Sequence, residues 1–285
     1  MKSLVYSACA GAVLVLLVGC GGGGSGGSAG TDQPVKPDPT PVGPTDPVVT
    51  DGPSSDCFNP LLTTAGTTYQ LNYTAVNEAG ETVDTRSVTG AVKGDQTFIW
   101  NNSGSSIPGL TEVQERSSWL TENFPIVSKR YLSANGQLVT HYGSIELVST
   151  KIEDFQIDST DRKKWTPSIV DGRFLLAKDQ SETWNWAETI NTENFSSQTQ
   201  ETGFTSPDAP IPRSIKFTYL GQETIVIPAG KFTACKFSKE MLGRTTYEWL
   251  GKTNGAVLKF SGQSNEGVDF VASLKSDSRL NGKPL

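Results

Sequence analysis

The sequence predicts an all-β protein: a curved antiparallel sheet forming a half-barrel or barrel of about 10–12 strands. Three observations predict it. Apolar and polar residues alternate with a period of two through much of the chain after Cys57, turn signals recur at intervals of about ten residues, and no segment carries a helical apolar stripe. Half-polar alternation describes sheets with one wet face, hence antiparallel meanders rather than a buried parallel sheet. So many twisted strands curl, close or split instead of staying flat, and the pattern leaves one domain or two subdomains open.

Taken in order, Tyr69, Leu71 and Tyr73 alternate with Gln70 and Asn72, and NEAGE at 77–81 turns the chain into TVDTRSVTG, a hairpin. VKGDQTFIW repeats the device with a turn expected at Gly94-Asp95. Asn135-Gly136 and Asn254-Gly255 are pairs that tolerate the positive φ of tight hairpins. Ile215, Phe217 and Tyr219 share one strand face, as do Val268, Phe270, Ala272 and Leu274. Two stretches break the alternation, 101–118 and 189–213. The second reads as a long loop, and loops of that length serve function or move. DSTD at 158–161 lacks the glycine and terminal glutamate of a calcium loop and reads as a turn.

The N-terminal region has a different character. Lys2 precedes the uncharged apolar run Leu4–Gly19, which is laid out as a secretory signal and is short for a spanning helix. LVGC at 17–20 resembles the lipobox of bacterial lipoproteins. The resemblance implies that residues 1–19 are cleaved and that the Cys20 thiol carries a diacylglycerol thioether, with its freed amine acylated. Gly21 stands where an aspartate would resemble an inner-membrane retention signal, which favours a lipid-anchored place at the outer membrane. Several acyl chains on one residue anchor far more firmly than one. Residues 20–56 then read as the lipidated cysteine plus a Gly/Ser-rich and Pro-rich linker, and 57–285 as the β-domain. Glycine motifs within the linker are accidents of low complexity, because no strand or helix flanks them.

LGQETIVIPAGKFTACKF at 220–237, with TTYEWLGKTNGAVLKF at 245–260, resembles a V-P-A-G-x-F pattern in uncharacterised periplasmic proteins and lipoproteins of bacteria. Some of these are distantly similar to half-barrel carriers of lipoproteins and lipids. The resemblance implies a curved sheet wrapping an apolar cavity, and it transfers no functional residue. Once Cys9 leaves with the signal and Cys20 is lipidated, Cys57 and Cys235 remain. In an oxidising compartment they read as a disulfide, the alternative being two buried thiols.

The formal net charge of −6 argues against nucleic acid and against a polybasic membrane surface, leaving the N-terminal lipid as the membrane attachment. His141 is the single histidine, so histidine-rich metal sites lack ligands. No metal or other cofactor is expected. His141 itself reads as structural, with no partner nearby in sequence. In SETWNWAET, Glu182, Trp184, Trp186 and Glu188 share one face. The two tryptophans are either a stacking platform for a sugar or polymer, or core packing with the acids reaching solvent. The two acids are too far apart along a strand for a glycosidase pair. No nucleophile–base constellation is legible. The expectation is therefore a non-enzymatic, lipid-anchored envelope lipoprotein that binds an apolar or amphipathic ligand or an envelope protein. The alternative is a carbohydrate- or polymer-binding surface module using Trp184 and Trp186.

Overall fold

A computed structural model describes residues 49–101, 104–119, 125–152, 155–197, 199, 201–205, 209–264 and 267–285. Cys20, the signal 1–19 and the linker up to residue 48 lie outside the described residues. The first half of the chain forms β1 (Val49–Thr50), β2 (Thr68–Val76), β3 (Thr82–Ile99), β4 (Ser106–Trp119), β5 (Ile126–Asn135), β6 (Leu138–Ile152), β7 (Phe155–Asp171) and β8 (Ser181–Ser196). It continues with β9 (Glu201–Thr205), β10 (Ile211–Ile227), β11 (Gly230–Met241), β12 (Arg244–Gly251), β13 (Val257–Gln263), β14 (Asp269–Leu274), β15 (Arg279–Leu280) and β16 (Lys283–Pro284). Three short 3₁₀ turns, η1 (Ser54–Cys57), η2 (Pro60–Thr63) and η3 (Arg173–Leu175), are the helical elements among the described residues.

Two meanders, β2 to β8 and β10 to β14, join where β14 pairs with β2 and β10 pairs with β8. The result is a closed antiparallel barrel of 12 strands with extra strands outside the ring. Closure removes the sheet edges that an open half-barrel would expose. The turns at Asn77–Glu81, Asn135-Gly136 and Asn254-Gly255 fall where the sequence puts them.

Three expectations are corrected. Gly94-Asp95 is not a hairpin: β3 runs through it as a bulge, with Asp95 at φ 52° and a register shift between Lys93 and Gln96. The stretches 101–118 and 189–213 are largely strand, as β4 and as the end of β8 followed by β9 and β10. DSTD lies within β7. β4, β7 and the end of β8 escape the alternation rule largely because many of their inward residues are polar. Cross-strand partners share a face, and the register carries the inward face from Tyr69 and Tyr73 through Arg86 and Glu115 to Arg130, Glu146 and Lys163. Outward positions on β8 and β10 are polar, with Thr183, Asn185, Ser214 and Lys216 exposed, whereas the outer face of β3–β6 carries the apolar cluster of Phe98, Leu110 and Tyr131.

The end of the barrel at which β2 and β11 begin is stoppered. Cys57 in η1 is disulfide-bonded to Cys235 in β11, with Cα atoms 6.1 Å apart. Both are fully buried and pack with Tyr219, Phe237 and Leu250. The ordered contacts begin ahead of Cys57: Val49 and Thr50 pair with Glu223 and Gln222 of β10, and the Tyr219 hydroxyl donates to the Gly52 carbonyl. The last residues assigned by sequence to the linker therefore belong to the folded unit. The opposite end, where the β2–β3 and β11–β12 hairpins turn, carries the cavities.

Candidate functional site

The inner wall is an array of paired charges. Arg130 lies 3.3 Å from Glu115, whose other oxygen accepts from the Tyr69 hydroxyl. Glu115 holds the Arg130 guanidinium above its ordinary pKa. Lys163 donates to Glu146 at 2.6 Å, and burial pushes the Glu146 carboxyl up to about 7. Arg213 is 3.5 Å from Glu188, which also accepts from the Trp165 indole N–H. Such pairs offset the cost of burying charge, and removing one partner leaves the other stranded. Paired charges therefore share the interior with apolar side chains such as Tyr73, Val88, Val113, Ile215 and Phe217.

His141 has a partner after all. It faces Asp171 at 3.9 Å across the β6–β7 pair, and Asp171 in turn accepts from Arg173 of η3 at 3.0 Å. Burial lowers the His141 pKa despite Asp171. Burial would raise the Asp171 carboxyl, but Arg173 and His141 outweigh it and hold it low. Arg173 also donates to Glu248 of β12 at 2.5 Å and lies over the rings of Phe217 and Trp184, 5.0 and 5.6 Å from their centroids. One guanidinium therefore ties η3 to β7, β8, β10 and β12 inside the barrel. The array is a structural knot.

Trp184 and Trp186 do share a face, as the alternation requires, and the structure turns that face inward. They are 8% and 7% exposed and pack with Trp165, Ile169, Ile215 and Phe217. An open stacking platform needs exposed ring faces, so the platform is corrected to core packing. The flanking acids do not run out to solvent: Glu182 accepts from the Gly172 amide, and Glu188 is held by Trp165 and Arg213.

A cleft lies at the far end, where the wall parts. β12 pairs with β11 along its whole length, but with β13 only at Glu248↔Phe260, Trp249↔Lys259 and Leu250↔Val257. Past that point side chains replace the ladder: the Tyr247 amide donates to Ser261 Oγ at 2.8 Å, and Arg244 donates to Gln263 at 2.6 Å. A cleft of about 490 Å³ occupies this parting, within the ~300–1,000 Å³ typical of small-molecule sites. Met241, Leu242, Phe270 and Val271 give it apolar surface, and Lys239 and Arg244 give it positive charge. A second, shallower cavity of about 620 Å³ lies beside Trp186, Arg213 and Pro212 and also reaches Met241 and Leu242. Leu242 stands between the two. It is 65% exposed and has φ 50°, an unfavourable left-handed conformation for a leucine at a hairpin tip.

Lys239 and Met241 were missed by the sequence reading, although a signal existed. In CKFSKEM, Cys235, Phe237 and Met241 mark the inward face, and Lys239 occupies the same phase.

No family model and no curated protein matches the sequence. Among solved structures, a Bacteroides fragilis protein described as exported and as having a YmcC-like fold aligns over 76% of this chain and 97% of its own, at 11% identity and a TM-score of 0.26.

Proposed function

We propose that this chain is a lipid-anchored protein of the bacterial envelope that binds an amphipathic ligand, without transforming it, in the cleft at the open end of the barrel. The anchor is supported by the LVGC motif, and export agrees with the bond between Cys57 and Cys235. The observation that carries the ligand reading is the parting of β12 from β13, which sets apolar Met241 and Phe270 beside cationic Lys239 and Arg244 in one cavity. A largely apolar pocket with a few convergent polar groups is the usual form of a small-molecule site. The polar wall deeper in the barrel makes a wholly apolar cargo a poor fit, since its charges already have partners and would lose water without gain.

The test is native mass spectrometry of the full chain taken from its own membrane in a mild surfactant. The expected result is a bound small molecule on the wild type that is lost from Met241→Arg, a substitution at a buried position lining the cleft, with a thermal melt showing that the variant stays folded. An adduct retained equally by Met241→Arg would place the ligand elsewhere, and a wild type that never carries one would overturn the reading.

A further inference from the structure

Lys239 is the exception to the charge pairing inside this barrel. Arg130, Lys163, Arg173 and Arg213 each lie within 4 Å of a carboxylate, at 3.3, 2.6, 3.0 and 3.5 Å. Lys239 is on the same inward face, paired in register with Phe217 of β10 and Thr246 of β12, and has no ion pair or hydrogen bond among the described residues. Glu248 is the nearest acid in register, two residues from Thr246 on the same face, and it is already bonded to Arg173 at 2.5 Å. An ammonium withdrawn from water without a counter-ion is costly, and a fold that pairs Arg130, Lys163, Arg173 and Arg213 with carboxylates gains nothing structural from it. The ammonium lines the cleft alongside Met241 and Phe270.

We propose that the ligand of this cleft is an anionic amphiphile whose single carboxylate or phosphate group is bound by Lys239, while its apolar portion lies against Met241 and Phe270. The inference rests on the ligand reading above and deepens it by naming the charge and the residue that reads it. The lip supports a single buried charge over a polyanion, because Glu78 and Asp269 line the entrance and would repel further negative charge. A carboxylate or phosphate monoester accepts charge-assisted hydrogen bonds from an ammonium, stronger than any an alcohol accepts.

The environment also makes the interaction pH-dependent. Burial lowers the Lys239 pKa to about 8, Glu248 on β12 opposes that shift, and Arg173 on η3 adds to it. Arg244 on β12, Asp269 at the start of β14 and Glu78 in the β2–β3 turn are the other charged groups on the cleft. Below about 8 the amine is protonated and the anion finds its partner. Above it, each pH unit weakens anion binding by up to about tenfold, because the proton must first be taken up.

The experiment uses the full acylated chain held in amphipol and titrates octanoate, octyl phosphate and octanol, each below its critical micelle concentration. At pH 7 the two anions are expected to bind at least about tenfold more tightly than the alcohol. That preference should vanish in Lys239→Met with octanol affinity unchanged, survive in Lys239→Arg, and fade in the wild type above pH 8. The ratio of octyl phosphate to octanoate separates a phospholipid-derived ligand from a fatty acid. Equal binding of anion and alcohol by the wild type overturns the role of Lys239 while leaving the ligand site standing. An anion preference that persists in Lys239→Met does the same. Binding of none of the three overturns both. Thermal melts of both variants identify any loss that is a folding defect, and Lys239→Arg then carries the comparison.

Discussion

Reduction of the bond between Cys57 and Cys235 is the perturbation whose size the structure fixes best. The two residues are 178 apart in sequence, and closing a loop of that length removes chain entropy from the unfolded state equivalent to about 5 kcal/mol as a ceiling. For a domain of this size each kcal/mol moves the melting midpoint by roughly 2–4 °C, so the ceiling corresponds to roughly 10–20 °C. Both sulfurs are fully buried among Tyr219, Phe237 and Leu250, and reduced thiols still pack as small apolar groups. The loss on reduction is therefore the crosslink rather than the core. The assay is a thermal melt by near-ultraviolet circular dichroism, with and without a phosphine reductant, on the wild type, Cys57→Ala, Cys235→Ala and the double variant. Each single substitution should lower the midpoint about as much as the double, because either one removes the whole bond. A reduced protein that melts within about 2 °C of the oxidised one would refute the entropic reasoning. Two free thiols in the unreduced, denatured protein would refute the bond itself.

Three further outcomes are expected. Gly90→Ala places a β-carbon 2.1 Å from the Tyr69 ring, which must swing away from Glu115; a loss of about 1–3 kcal/mol in urea unfolding is expected, and a neutral result would mean the ring has room to move. Glu146 has a folded pKa raised from 4.5 to about 7, so its contribution to stability is complete below about 4.5 and is lost as the pH rises to about 7. Against Glu146→Gln, the wild type should lose relative stability across that window by up to about 1.4 kcal/mol per pH unit, and a flat difference would contradict the raised pKa. Cys20→Ser should abolish acylation and leave an unprocessed or mislocalised precursor, read by detergent-phase partition; equal membrane retention of the variant would remove the lipid anchor from the account.

The sequence by itself determined the fold class, the hairpin turns at 77–81, 135–136 and 254–255, and the inward phase of the apolar strands. These are local properties: a period of two, Asn-Gly pairs, and alternation such as Ile215, Phe217 and Tyr219 are written in consecutive residues. The lipobox reading, by setting Cys9 and Cys20 aside, pointed Cys57 and Cys235 at each other, although their approach to 6.1 Å is a tertiary fact. The alternation rule failed at β4, at β7 and at the end of β8, since an inward face built of Glu115, Asp161, Lys163, Glu188 and Thr192 has the polarity of an outward one. Only closure of the barrel decides which polar residues are inside, because it brings Glu146 to Lys163, His141 to Asp171, and Arg173 to Glu248 across 75 residues. The site has the same origin. Alternation places Trp184 and Trp186 on one face but cannot say whether that face meets water, and closure against β10 buries it. The cleft forms where β12 and β13 cease to pair, which no local pattern encodes, and the lysine left without a carboxylate there is identified only once every other inward partner has been placed.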